Sequence, residues 1–161
     1  MKKILALITV LVAMQLITST AIADNGGGPS DLGLDTQVGG VCGLVLTPTS
    51  VHFGLLQQDQ TSGDQTTIVK NDGTAPTTSL EIQGADWSPA STPVTFPVST
   101  THYDESGSDY GSMTSLLTTP NPIHGGVLGN QASFTLHFKL SIPHGVTAAA
   151  YTQTITITSG C

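Results

Sequence analysis

The 161-residue sequence contains no arginine, and only four of its residues are lysines. Two of these, Lys2 and Lys3, stand in an N-terminal segment that we expect to be removed, which leaves Lys70 and Lys139 against eleven acidic residues. The resulting net charge of about −9 (2 − 11) argues against nucleic acids and anionic membrane surfaces as partners, because both are bound through lysine and arginine. Charged residues make up only 9% of the chain, so Thr, Ser, Gly and Gln are expected to cover the surface, without the clustered charges that most enzymes display.

Long apolar runs are also scarce. The one run of note extends from Ile4 to Ile17, follows Lys2-Lys3 and precedes the small-residue site Ala21-Ile22-Ala23. It is short for a membrane-spanning helix, and its flanks are those of a secretory signal peptide. We therefore predict a signal peptide over residues 1–23 and a mature, secreted chain of about 138 residues (161 − 23) from Asp24, with no membrane segment after cleavage.

Cysteine occurs only at positions 42 and 161. An even number of cysteines in an exported chain favours a disulfide between Cys42 and Cys161. Such a bond would close a loop of more than a hundred residues, for which the chain-entropy model gives a stabilisation of about 4–5 kcal/mol. Two free thiols, or separate bridges to two neighbouring molecules, are the alternatives.

Helical periodicity is absent as well. No window sustains an apolar period of 3.6 residues, and β-branched residues and turn formers dominate throughout. Strands are predicted over residues 43–53, 65–70, 77–83, 93–103, 112–118, 123–128, 133–142 and 149–158. Seven to eight short alternating strands predict an all-β fold for residues 42–161, an antiparallel sandwich of immunoglobulin-like or jelly-roll type, with Trp87 as core filler.

An N-terminal arm, residues 24–41, precedes this domain. Its apolar side chains alternate with polar ones, which predicts a strand with one buried face formed by Leu32, Leu34, Thr36 and Val38. Burying three of these would contribute about 5–9 kcal/mol, whereas ordering eight residues costs about 1–2 kcal/mol each. The arm therefore needs a preformed groove, in a neighbouring subunit or in its own domain. An edge strand of its own sheet and a disordered tail are the other interpretations.

Two stretches carry a family resemblance. Pro48 to Leu56 fits the pattern P-x-S-x-x-F-G-x-L, and Ile68 to Pro76 ends in N-x-G-x-x-P. Together they resemble the opening of many immunoglobulin-like secreted modules. A signal peptide, an alternating arm and a small Thr-rich β domain form a layout similar to that of donor-strand filament subunits, such as chaperone–usher pilins and the thread-type or bundling pili of archaea. The resemblance implies a homopolymer held together through the N-terminal arm.

Residues with catalytic or ligand chemistry are sparse. The histidines (His52, His102, His124, His137 and His144) show no metal-ligand spacing, and no nucleophile motif occurs, so an enzyme is not expected. The oxygen-rich stretch with Asp104, Ser106, Ser108 and Asp109 is similar to a calcium loop, although a polar hairpin tip is the simpler interpretation. No other cofactor is indicated.

Two functions from different classes are compatible with these features. The leading hypothesis is a secreted, non-enzymatic subunit that polymerises into an extracellular filament by donating its arm to the next copy. The alternative is a monomeric secreted adhesin or carbohydrate-binding sandwich that uses loops such as 102–112, with calcium as an optional ligand. Its candidate stacking residues are Trp87, Tyr103 and Tyr110.

Overall fold

The computed structural model describes residues 21–23, 33–39, 43–90 and 94–160, with side chains in the last two ranges. The strands are β1 (Ala21–Ala23), β2 (Gly33–Gly39), β3 (Leu44–Thr47), β4 (Ser50–His52), β5 (Gln65–Asn71), β6 (Ser79–Gly84), β7 (Ser88–Pro89), β8 (Thr101–Asp104), β9 (Thr114–Ser115), β10 (Asn121–Pro122), β11 (Ser133–Leu140) and β12 (Ala149–Gly160). The only helices in these ranges are 3₁₀ turns at Val98–Thr100, Tyr110–Ser112 and His124–Gly126. None of them approaches the length or apolarity that crossing a bilayer requires.

The strands form two sheets. One has the order β10-β6-β12-β2-β4, with β1 and β7 also paired to β12, and the other has the order β3-β5-β11-β8-β9. Among the described pairings, only that between β2 and β12 is parallel. The predicted all-β fold of two layers is thus confirmed, although the chain is divided into more strands than the seven to eight predicted.

The core lies between the two sheets, and its residues follow the predicted alternation. In β11, Leu136 and Phe138 are fully buried, and in β12 the same holds for Tyr151, Ile155 and Ile157. The intervening threonines of β12 are partly exposed. A period of two therefore separates the core face from the solvent face in the two longest strands.

A buried polar chain joins the sheets at Trp87. The indole stacks on Phe96 with ring centroids 5.5 Å apart, and its Nε1–H donates to the hydroxyl oxygen of Thr101 at 2.9 Å. The Thr101 hydroxyl donates to Oε1 of Gln153 at 2.9 Å, and Nε2 of Gln153 donates to the carbonyl of Ala85 at 2.9 Å. Because Thr101 lies in β8 and Gln153 in β12, these bonds connect the two layers.

Three strand predictions differ from the structure. Of the predicted strand 93–103, Phe96 forms an isolated bridge with Trp87 and the segment from Thr101 belongs to β8, because Pro97 leads into a 3₁₀ turn between them; residue 93 lies outside the described residues. The predicted strand 112–118 shortens to the two residues of β9. The predicted strand 123–128 is wrong. His124 to Gly126 form a 3₁₀ turn in which Gly125 and Gly126 have φ values of 64° and 82°, a left-handed conformation that two successive residues of a regular strand do not adopt.

Replacing Thr101 by valine tests the inter-layer polar chain. The Thr101→Val variant keeps the side-chain shape but leaves the indole N–H and the Gln153 amide oxygen without their partner. Leaving two buried polar groups unsatisfied is expected to lower the free energy of unfolding by about 2–4 kcal/mol. Urea unfolding measures this loss. The control, Thr66→Val on the exposed face of β5, should change stability by no more than about 0.5 kcal/mol, and equal losses would contradict the assignment.

Candidate functional site: the arm slot and a polar pocket

The predicted arm strand lies inside a sheet. In this single chain, β2 sits between β12 and β4, so it is neither an edge strand nor a tail over residues 33–39. It runs parallel to β12, from Leu34 opposite Gln153 to Gly39 opposite Thr158, and antiparallel to β4. Leu34, Thr36 and Val38 belong to this strand, whereas Leu32 lies outside the described residues.

The register of β2 matches the alternation of apolar and polar residues that was predicted for the arm. Thr36 is opposite Ile155 and Val38 is opposite Ile157, and both isoleucines are fully buried core residues. Leu34 is opposite the buried Val51 of β4. The predicted apolar positions of the arm therefore take register positions beside core residues. We call the space between β12 and β4 that β2 fills the arm slot.

A short hinge connects the arm to the domain. Strand β2 ends at Gly39 in one sheet, and β3 begins at Leu44 in the other, so four residues, 40–43, separate the two strands in sequence, and of these only Gly43 is described. Four extended residues span at most about 14 Å, and packed sheets lie about 10 Å apart. Gly43 has a φ of 70°, and a Cβ atom there would come within 2.9 Å of the backbone nitrogen of Gly73, so the hinge ends at a position that requires glycine.

Both cysteines lie outside the described residues, but their described neighbours share one end of the fold. The carbonyl of Gly43 accepts a hydrogen bond from the amide of Asp72 at 2.9 Å, and that of Gly160 accepts one from Thr78 at 2.8 Å. The neighbours of Cys42 and Cys161 thus contact the two ends of the same 72–78 connection. The disulfide itself stays a prediction.

A second feature is a cavity of about 250 Å³ between β8, β10 and β11. Tyr103, only 4% exposed, lines it, and its hydroxyl oxygen accepts a 2.7 Å hydrogen bond from Nδ2 of Asn121. Burial raises the pKa of Tyr103, and the bond from Asn121 offsets part of the rise, so the phenol keeps its proton and remains a donor. The other lining residues are Asp104, Glu105, Thr114, Pro122, Ile123, His124 and Leu136. We call this the polar pocket.

At the rim of the polar pocket, Glu105 holds His124 at two points. One carboxylate oxygen accepts from the backbone amide of His124 at 2.9 Å, and the other is 2.7 Å from its Nδ1 atom. The imidazole also stacks on Phe134, with ring centroids 4.3 Å apart. Since His124 has a φ of 50°, rare for a non-glycine residue, these contacts hold the side chain in place despite a strained backbone.

The predicted calcium loop uses its first carboxylate for its own turn. One oxygen of Asp104 accepts from the amides of Ser106 and Gly107, and the other accepts from the Ser106 hydroxyl and the Ser108 amide, at 2.9–3.2 Å. Burial alone would raise the pKa of Asp104, but the hydrogen bonds from Ser108, Gly107 and Ser106 outweigh it and hold the pKa well below the usual carboxyl range. With four donors on Asp104 and Asp109 exposed, the loop is built as a hydrogen-bonded turn.

The remaining histidines are separated in space. His137 pairs with Asp64 at 2.6 Å and His144 with Asp59 at 3.1 Å. His102 lies between the Ser115 hydroxyl and the Tyr110 carbonyl, and His52 is exposed. Within the described ranges, no three His, Cys, Asp or Glu side chains come together as metal ligands.

The structure does not assemble the predicted sugar-stacking residues. Trp87 is fully buried in the core, and one face of the partly buried Tyr110 ring is stacked on His102, with centroids 3.9 Å apart. Of the three, Tyr103 alone lines the polar pocket. The residues that sequence reasoning missed, Glu105, Asn121 and His124, are separated by up to 19 positions and share no local motif.

No family model, no curated protein and no solved structure matches the chain. The resemblance to filament subunits therefore stays a prediction.

Replacing Asp104 by asparagine tests the turn. Because its folded-state pKa is depressed, Asp104 contributes stability that is present above the unfolded-state pKa of about 3.9 and is lost as the pH falls below it. We expect Asp104→Asn to lower the free energy of unfolding by about 1 kcal/mol at pH 7, with the difference from wild type shrinking at lower pH. Urea unfolding across a pH series measures this. The adjacent, exposed Asp109→Asn should show neither effect, and a loss independent of pH would contradict the assignment.

Proposed function

We propose that this protein is a secreted, non-enzymatic structural subunit that polymerises into an extracellular filament by donating its N-terminal strand to the neighbouring copy. The observation that carries the proposal is that β2, the strand of the arm, fills an interior slot of its sheet. A strand that comes from an arm outside the domain and completes its sheet is the arrangement that donor-strand assembly requires.

The slot is open when β2 is withdrawn. Over Gln153 to Thr158, β12 would lose its partner on one side, and β4, whose only described pairing is with β2, would be detached from the sheet. Unpaired backbone groups would then lie beside the core residues Ile155 and Ile157. Such an edge is a template for another strand, and an identical arm from a second copy satisfies it with the same contacts.

The hinge favours exchange between copies. When β2 fills its own slot, residues 40–43 alone must cross from one sheet to the other, and short hinge loops promote strand swapping. Donation to a neighbour relieves this constraint. Because donor and acceptor surfaces differ, the contact is heterologous, and it propagates as an open filament unless it closes a ring.

A disulfide between Cys42 and Cys161 is part of the proposal. The contacts of Gly43 and Gly160 with the 72–78 connection support it, and an oxidising, extracellular setting would allow it. The bond would fix the base of the arm to the end of β12, so that the arm swings from an anchored point. It would also keep the slot from opening further when a neighbouring strand enters.

Mass spectrometry tests the bond. The secreted chain should be lighter than its reduced form by two hydrogen atoms, and alkylation should modify both cysteines only after reduction. A proteolytic fragment containing both Cys42 and Cys161 should appear only without reductant. Alkylation of both thiols in the untreated secreted chain would contradict the bond.

Varying the hinge length tests filament assembly. Inserting four Gly/Ser residues between Gly40 and Val41 should ease closure onto the own slot and shift the population toward monomers. Deleting Gly40 and Val41 makes that closure too short and should increase polymer. Electron microscopy and light scattering of chains beginning at Asp24, at equal concentration, measure the difference.

A matched control inserts the same four residues between Thr118 and Thr119, in an exposed loop far from the hinge in sequence; it should assemble like wild type. If the chain, the two hinge variants and the control are all monomers at every concentration, the filament proposal is wrong. A monomeric secreted adhesin would then be the better description.

A further inference from the structure

We propose that the polar pocket between β8, β10 and β11 binds a single pyranose ring of a neutral sugar. The site is independent of filament assembly, because no residue that lines it belongs to the arm, the hinge or the slot. Its residues combine an apolar floor with hydroxyl, amide and carboxylate groups around one small cavity.

The size of the pocket fits one sugar ring. Its volume of about 250 Å³ is below the roughly 300–1,000 Å³ of sites for drug-sized ligands. Ile123, 5% exposed, and the exposed Pro122 provide the apolar floor, whereas Leu136 lines the cavity without an exposed surface. The carbon-bound hydrogens of a pyranose can pack on such a floor while its hydroxyls face the polar rim.

The polar groups have unused hydrogen-bonding capacity. The Tyr103 hydroxyl accepts from Asn121, and among the bonds of the described residues it donates to no group, so its proton is available to a ligand. Asn121 keeps its carbonyl oxygen and a second N–H, and Thr114 contributes an exposed hydroxyl. Each carboxylate oxygen of Glu105 accepts one hydrogen bond from His124, and each can accept a further hydrogen bond from a ligand. Alternating donors and acceptors of this kind match vicinal hydroxyl groups.

The charges of the pocket favour a neutral ligand. The carboxylate of Asp104 is satisfied by donors of its own turn, and that of Glu105 is paired with His124. A cation would have to compete with these donors for the carboxylate oxygens, and an anion would face two carboxylates. A metal ion lacks a ligand set, since no three His, Cys, Asp or Glu side chains of the described ranges converge.

Isothermal titration and saturation-transfer NMR of the full chain beginning at Asp24 test the site. The probes are the methyl glycosides of glucose, galactose and mannose, with methylammonium chloride and calcium chloride as competing ligand classes. We expect at least one glycoside to bind with a millimolar Kd, as is reasonable for a small ligand with few contacts. The two salts should show no saturable binding at this site.

Variants assign the binding to the pocket. Losing one polar contact should weaken binding about five- to tenfold in Asn121→Ala and in Glu105→Gln. The matched controls, Asn130→Ala and Glu81→Gln, lie outside the pocket and should bind like wild type. Thr114→Ala, at an exposed lining position, tests the site without disturbing the bond between Asn121 and Tyr103.

Three outcomes would overturn the proposal. They are the absence of binding by all the glycosides, binding that none of the three pocket variants weakens, and saturable binding of methylammonium or calcium in place of the sugars. None of these outcomes bears on polymerisation, which the hinge variants test separately.

Discussion

The seven-stranded sheet depends on the need of β12 for hydrogen-bonding partners on both sides. This strand runs through the middle of the sheet with its core-facing residues fully buried, so its backbone groups must be paired. β6 covers one side over Ile155 to Thr158, and β2 covers the other. Because the only described pairing of β4 is with β2, the arm completes the pairing of the central strand and also holds an edge strand in place.

The faces of the strands could be predicted from the sequence, because a side chain's burial in a two-layer fold is decided by its position in a period of two. Leu136 and Phe138 in β11, and Ile155 and Ile157 in β12, followed this rule. The turn at His124 to Gly126 did not, because positive φ values at consecutive glycines leave no trace in a hydrophobic pattern. The parallel pairing of β2 with β12 is set by long-range packing, and the alternation of the arm shows only that some partner must cover one face.

The polar pocket was only partly predictable for a related reason. Tyr103 was a candidate because aromatic residues were few, but Asn121 meets it across the two sheets. Glu105 is a near neighbour of Tyr103 in sequence, and its partner His124 lies 19 positions away. Local reasoning left Asp104 either at a polar hairpin tip, the simpler interpretation, or in a weak calcium loop, and four donors from the same turn occupy its carboxylate. Composition identifies oxygen-rich segments. It does not show whether their carboxylate oxygens accept hydrogen bonds from backbone amides of the same turn or face a ligand.

The sheet order separates the two sites. β10, which carries Asn121 and Pro122 of the pocket, forms one edge of the seven-stranded sheet, and the arm slot lies toward the other edge. From β10 to β2 there are three strand spacings, about 14 Å at the usual interstrand distance. A strand that enters the slot from a neighbouring copy would pair with β12 and β4. It would not need to pair with β10 or to contact the 102–112 loop. If both proposals hold, each subunit of a filament keeps its pocket free, and a polymer of weak millimolar sites would bind a multivalent glycan surface through avidity.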